Sequence, residues 1–188
     1  MKGRKENVDL LGTPSRRRRP KYEAALERQE IREVPSRAAR VRWLSGIMPG
    51  NTLYAMPLQT MAVFREAKDC FIYGQYVAAQ VLAAGFIEHW LGSLLFANGQ
   101  GKAASAGLGA IVAASREHRI LPGVVCDKID ALRLNRNPFV HLKDFEHPHS
   151  LTQRALAARS HFEDVLEADA REAMVVMYSV ARYASAQV

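Results

Sequence analysis

The run from Tyr76 to Phe96 constrains the fold of this chain more than any other segment. It contains no proline and is apolar on nearly all sides of a helix, interrupted by Gln80, Glu88 and His89. The run approaches the length of a membrane span, but these polar side chains are costly in lipid. A helix that is apolar all round is buried in the middle of a protein. We therefore expect the central helix of a bundle, and no membrane partner.

The rest of the sequence is also typical of helices. Apolar residues make up 48% and aromatic residues only 8%, a mixture that suits packed helices better than a β-sandwich. Helical spacing of apolar residues and the turn signals of Gly and Pro predict helices over about 58–72, 75–96, 105–119 and 124–134, with one or two long helices in 151–186. The expected fold is an all-α, up-and-down helical bundle with a basic N-terminal arm.

The positive charge is concentrated in that arm. Residues 1–42 hold 13 Lys/Arg and 6 Asp/Glu, whereas residues 43–188 hold 13 of each. A basic segment attached to a neutral remainder favours an acidic partner such as nucleic acid. The candidate RNA-binding residues of the arm are Arg16, Arg17, Arg18 and Arg19. The alternative is a solvated tail that aids solubility.

Proline and glycine positions suggest the domain boundaries. Residues 1–20 are polar and rich in Arg and Lys, which predicts disorder. A helix over about 21–34 follows, because Lys21 to Glu33 is dense in helix formers and Pro35 is expected to stop it. Residues 35–56 are predicted to form a linker with one short helix around Ala38 to Leu44. The sequence thus predicts a basic, partly disordered arm over 1–56 and a helical bundle over 57–188.

The two cysteines and the N-terminus bear on localisation. Cys70 and Cys126 do not have the spacing of a metal site, and two isolated cysteines are typical of reduced, buried thiols in a cytosolic protein. No apolar stretch of the kind found in signal peptides lies near Met1. We expect a cytoplasmic protein.

The segment from Arg136 to His141 is the main candidate for chemistry. A residue before proline is pushed out of the α region, so Asn137 is expected to end the fourth helix. Asn137 is also a favoured N-cap and Pro138 a favoured first helical residue, which predicts a new helical turn with His141 inside it. Arg136 and His141 would then share a space beside the positive end of a helix, where a phosphate can bind. Lys143 could add charge.

Three stretches together resemble one family. The order is Gly74-Gln75-Tyr76-Val77-Ala78-Ala79-Gln80-Val81-Leu82-Ala83-Ala84 followed by Ile87-Glu88, then Leu132-Arg133, then Arg136-Asn137 with His141 four residues after Asn137. This pattern resembles the central helix and the Arg-x4-His motif of HEPN domains. The resemblance covers about residues 57–186 and says nothing about the arm.

The resemblance implies an architecture and an activity. HEPN domains are helical bundles that pair as homodimers, so that two Arg-x4-His motifs face one cleft. Many are metal-independent endoribonucleases of toxin–antitoxin and phage-defence systems; others have lost catalysis and bind a nucleotide, RNA or a protein. The resemblance therefore implies a homodimer, an RNA partner and an antitoxin or regulatory protein. It implies no metal and no cofactor.

By the same resemblance, four residues would form the catalytic site. His141 would exchange protons with the ribose 2′-hydroxyl or the leaving 5′-oxygen, and Arg136 would stabilise the charged transition state. Asn137 would orient the site unless it only caps a helix, and Glu88 would contact Arg136 or His141 unless it lies on an exposed helix edge. Lys143 and Arg133 would bind RNA. Lys143 stands where the subgroup paired with nucleotidyltransferase antitoxins has a Tyr, which argues against control through modification of that tyrosine.

Two other interpretations of the motif remain open. Arg136 and His141 could form a structural pair at a helix junction, since polar contacts are common there. His141, His147 and His149 could instead bind a metal, because a His-x-His pair with a third histidine nearby is chemically suitable.

Overall fold

The fold was obtained as a computed structural model and is described for residues 21–48 and 56–185. These ranges contain helices and no strand, which confirms the all-α prediction. The helices are α1 (Lys21–Ile47), α2 (Leu58–Ile72), α3 (Tyr76–Ala97), α4 (Gly101–Ala104), α5 (Leu108–Glu117), α6 (Gly123–Val140), α7 (Leu151–Ala158) and α8 (Phe162–Ser185).

The chain divides into two compact units, residues 1–38 and residues 39–188. The described part of the first unit, residues 21–38, is helical and solvated. Arg37 donates hydrogen bonds to Glu30 at 2.6 Å and to Glu33 at 2.5 Å, while Tyr22 and Ile31 are exposed. Helix propensity and ion pairs, rather than an apolar core, stabilise this segment.

The first helix does not end at Pro35, so that prediction was wrong. Pro35 lies inside α1, which continues to Ile47. A proline inside a helix removes one hydrogen bond and crowds the carbonyl four residues before it. The helix continues because residues 36–47 are free of further proline and because tertiary packing of an apolar face outweighs local propensity.

The second unit also begins earlier than residue 57. Leu44 is only 2% exposed and belongs to the core. The rings of Trp43 and Phe71 lie 5.2 Å apart, and Arg40 Nε donates a hydrogen bond of 2.8 Å to the carbonyl oxygen of Ile72. Residues 39–47, predicted as part of a linker, are therefore an integral part of this unit.

Helix α3 lies at the centre of the second unit, as the sequence predicted. It packs against α2, α4, α5, α6 and α8. Its fully buried members include Phe86, Ile87, Leu91 and Leu95. Each such side chain contributes about 1.5–3 kcal/mol relative to an exposed one. The apolar character of α3 on nearly all sides is thus matched by neighbours around most of the helix.

A close approach between α3 and α4 requires glycine at position 92. A Cβ atom built on Gly92 would lie 3.2 Å from the carbonyl oxygen of Ala104, a tight contact with rigid backbone. Small residues on α3 let neighbouring helices approach in the same way, and Ala79, Ala83 and Ala84 are fully buried.

The predicted third helix over 105–119 is observed as α5, Leu108–Glu117, which follows the short α4. Gly107 at φ 86° is the N-cap of α5. Only glycine adopts this conformation without strain. The C-terminal region forms two helices, because Arg159 adopts the left-handed conformation at φ 50° and ends α7.

Helix α3 is long and apolar enough to meet the criterion for a membrane span, with a mean hydropathy of 1.2 over its most apolar window. A buried core helix meets the same criterion, and 56% of that window is buried within the protein.

A chain of polar contacts connects three helices within the second unit, α1, α3 and α8. The Tyr76 hydroxyl donates to Glu167 at 2.8 Å, and Arg171 donates to the same carboxylate at 2.5 Å. Arg40 lies 3.3 Å from the Tyr76 hydroxyl, and Arg171 stacks over Trp43 at 4.9 Å. Burial raises the pKa of Glu167, but hydrogen bonds from Arg171 and Tyr76 outweigh burial, so the pKa is lowered from its ordinary value of 4.5.

Truncation of the α3 core tests the central position of this helix. We expect Leu91→Ala, at a fully buried site, to lower the free energy of unfolding by about 2–5 kcal/mol. His89→Ala, on the exposed side of the same helix, should change it by less than about 0.5 kcal/mol. Urea titration followed by circular dichroism measures both, and equal effects would contradict the burial of α3.

The Glu167 contacts predict a pH-dependent stability. A carboxyl with a lowered pKa in the folded state stabilises the protein above its unfolded pKa, and this stabilisation is lost as the pH falls through the folded pKa. We expect Glu167→Gln to reduce the free energy of unfolding by about 1 kcal/mol at neutral pH, after allowance for partial exposure.

The difference from the unchanged protein should shrink below about pH 4.5 and vanish in stronger acid. Glu66→Gln, at an exposed position on α2, is the control for loss of a carboxylate. Denaturant titrations across the acid range distinguish the two variants. A Glu167→Gln effect that is independent of pH would show that the charge of this carboxylate does not stabilise the folded protein.

Candidate functional site

The Arg136–His141 segment does not open a new helix. Helix α6 runs from Gly123 to Val140 with Pro138 inside it, and His141 follows in extended conformation, with φ −135° and ψ 126°. The prediction that Asn137 ends one helix and caps another was therefore wrong. Pro138 lacks the N–H that would bond to the carbonyl oxygen four residues before it, so the helix continues past Pro138 at a cost. The preceding turns stay helical because Ile129 and Leu132 are buried.

The electrostatic setting of the motif changes accordingly. The motif lies at the C-terminal end of α6, where the helix dipole is negative and favours cations. The predicted phosphate site at a positive helix end is not formed. The backbone N–H of His141 donates to the carbonyl oxygen of Asn137 at 2.9 Å, so this N–H is also engaged. Any attraction for phosphate must come from side chains.

Helices α3 and α6 bring Arg136 and Glu88 together. The distance from Arg136 Nη2 to Glu88 Oε2 is 3.9 Å, and the side chains are 16% and 34% exposed. No hydrogen bond joins them at this length, so the ion pair is loose. Arg136 Nε is buried and has no hydrogen-bond partner among the described residues. A buried donor without a partner destabilises the protein by about 1–3 kcal/mol.

His141 is exposed, directly after the helix that carries Arg136. Asn137 is half-buried on the last turn of α6, and Lys143 is exposed in the following loop. Arg133 is less available, because its Nε donates to Asp130 at 3.1 Å. Arg16, Arg17, Arg18 and Arg19 lie outside the described residues.

The histidine loop after His141 has its own contacts. His149 Nδ1 lies 3.3 Å from Asn135 Oδ1, and the His149 backbone N–H donates to His147 Nδ1 at 3.2 Å. Asn135 was missed from the sequence, because no motif connects it with His149. In residues 21–48 and 56–185, no three His, Cys, Asp or Glu side chains gather as metal ligands. This arrangement therefore does not support a metal site formed by His141, His147 and His149.

A groove of about 920 Å³ adjoins the motif. Its walls come from the N-terminal half of α3, the end of α6 and the start of α8. Phe139 and Val140, two of the unspecified positions of Arg-x4-His, line it. The groove could not be found from the sequence, because the residues of α8 that complete it are distant along the chain. The signal available was the apolar pair between Pro138 and His141.

Comparison with protein-family models, curated proteins and solved structures finds no match to this chain.

The position of Pro138 distinguishes the observed helix end from the predicted helix start. A proline inside a helix destabilises it by up to about 3 kcal/mol, whereas proline at the first helical position is favourable. We expect Pro138→Ala to raise the free energy of unfolding by about 1–2 kcal/mol.

Pro122→Ala is the matched control, because Pro122 precedes the first residue of the same helix at φ −57°. It should leave stability unchanged or lower it slightly. Thermal and urea unfolding measure both variants. Destabilisation by Pro138→Ala would favour a new helix beginning at Pro138.

Proposed function

We propose that this chain is a metal-independent endoribonuclease of HEPN type that acts in the cytoplasm as a homodimer. The observation that carries the proposal is Arg136. Its guanidinium is largely buried, loosely paired with Glu88 and has one unsatisfied donor, and His141 follows the same helix at an exposed position. A donor held at such a cost is typical of functional sites. A role as a toxin or phage-defence effector rests on the sequence resemblance alone.

The proposed reaction needs a base and a cationic hydrogen-bond donor. His141 takes the proton from the ribose 2′-hydroxyl, and the 2′-oxygen attacks the adjacent phosphorus. The bond from phosphorus to the 5′-oxygen breaks, and the leaving oxygen receives a proton from an imidazolium. The products are a 2′,3′-cyclic phosphate and a free 5′-hydroxyl. The need for the 2′-hydroxyl restricts the reaction to RNA.

Arg136 stabilises the negative charge that grows on the phosphoryl oxygens. Its fixed position means that little reorganisation is required when the charge develops. Glu88 acts as a positioning residue, because its carboxylate holds the guanidinium from α3 without occupying the unsatisfied Nε donor. Asn137, next to Arg136 on the same turn, orients the substrate.

RNA binding requires more positive charge than the motif offers. Residues 39–188 hold 15 Lys/Arg and 13 Asp/Glu, against 11 and 6 in residues 1–38. In the proposal, Lys143 and the Arg16–Arg19 run supply most of the attraction for the phosphate backbone, and Arg133 contributes less because of Asp130. A second motif from the homodimer partner would double the local positive charge.

The activity can be tested on a labelled RNA in EDTA. We expect cleavage to 2′,3′-cyclic phosphate ends, with a loss of at least about 100-fold in His141→Ala and in Arg136→Ala. Glu88→Gln should lose less activity, because Glu88 acts through Arg136. The matched controls are His118→Ala and Arg65→Ala, at exposed positions just after α5 and on α2, which should cleave normally.

Two results would refute the ribonuclease: cleavage that is equal in all five variants, or the absence of cleavage of every RNA by a folded dimer. The second result would favour a non-catalytic HEPN-like dimer that binds a nucleotide, RNA or a protein partner. A specific feature favours the protein-binding form of that alternative. The groove beside His141 is acidic rather than basic, with Glu163, Asp164 and Glu167 among its lining residues.

A further inference from the structure

The groove between α3, α6 and α8 has a predominantly apolar wall. The side chains that form it are Tyr76, Val77, Val81, Phe139, Val140 and Phe162. Val77, Val140 and Phe162 are 36%, 41% and 46% exposed. Apolar surface left open in this way is typical of a surface that binds another molecule.

The charged residues that line this groove are all acidic. Glu163 and Asp164 lie in the first turn of α8, and Glu167 one turn later. Glu167 is already engaged by Arg171 and Tyr76. Glu163 lies 3.8 Å from His161, and Asp164 accepts a hydrogen bond only from a serine hydroxyl at 3.2 Å. Two exposed carboxylates therefore stand at one end of an apolar groove that no Lys or Arg of the described residues lines.

We propose that this groove binds a short amphipathic segment of a partner protein, with apolar side chains against Val77, Val81 and Phe139 and with Lys or Arg at Glu163 and Asp164. The groove is open to solvent rather than enclosed, which suits a segment of a protein better than a small molecule that needs enclosure. The part of α3 that lines it, residues 76–81, is about 8 Å long, since a helix rises 1.5 Å per residue. This length matches about one and a half turns of a helix.

The charges argue against RNA as the occupant, because its phosphates would be repelled by Glu163 and Asp164. A two-fold interface pairs each residue with a different residue of the second copy, so the sedimentation experiment below distinguishes a second copy from a peptide. The bound segment would lie next to His141, since Phe139 and Val140 directly precede it, but the proposal does not depend on ribonuclease activity.

The test uses the full chain and two fluorescent probe peptides of 12 residues. Both carry the same Leu/Phe face, and their polar faces carry either Lys or Glu. Fluorescence anisotropy at physiological salt should show binding of the Lys peptide at least 10-fold tighter than the Glu peptide. The net charge of the chain is +7, so it favours the Glu peptide. A preference for the Lys peptide must therefore arise locally.

The variants assign the binding to the groove. Glu163→Gln with Asp164→Asn should weaken the Lys peptide at least five-fold, and Val77→Ser with Val140→Ser should weaken both peptides. Glu66→Gln with Asp69→Asn, at exposed positions on α2, makes the same change in charge away from the groove and should have no effect.

Three results would overturn the proposal. One is no preference for the Lys peptide, or no binding of either peptide. Another is an equal loss of affinity for the Lys peptide in the α2 control, Glu66→Gln with Asp69→Asn. The third is conversion of a dimer to a monomer by Val140→Asp, seen by sedimentation, in a protein that binds neither peptide, because a second copy would then cover the groove.

Discussion

The burial of most of the surface of α3 is the constraint on which the second unit depends. A helix that is apolar on nearly all sides leaves only a narrow exposed face, which here includes Val77 and His89, so the neighbouring helices must surround the rest. They do so with little room to spare, as the 3.2 Å approach to a Cβ at Gly92 illustrates. The same packing fixes where Glu88 and Tyr76 point, because both belong to α3. The candidate site and the groove are therefore consequences of how one helix is covered.

The sequence predicted helices α2 and α3 almost to the residue, because apolar periodicity reports directly on burial. It failed at two prolines. At Pro35 and Pro138 a local rule favoured a helix boundary, whereas the observed helices continue. In both cases buried residues of the same helix, Leu44 and Leu132, gain more from packing than the lost hydrogen bond costs. The gain from packing depends on residues that are distant along the chain, so it cannot be predicted from a short stretch of sequence.

The candidate site could likewise be predicted only in part. Arg136 and Glu88 could be paired from the sequence, because each stands in a stretch that resembles a known motif. The groove and the contact between Asn135 and His149 could not, since they require the placement of α8 and of a loop. The sequence did indicate that Phe139 and Val140 are apolar, but not that they face Phe162 across an open groove.

The location of the motif at the C-terminal end of α6 has the largest consequence for function. With the motif at the negative end of the helix, the backbone stabilises the positive charge of Arg136, and it offers nothing to a phosphate. The negative charges of Glu88 and of the α8 carboxylates also attract cations and repel phosphate. A single copy of this domain is thus a poor phosphate site and a good cation site. For RNA to be the substrate, positive charge must come from Lys143, from the N-terminal arm or from a second copy, whereas a cationic protein segment finds its complement already in place.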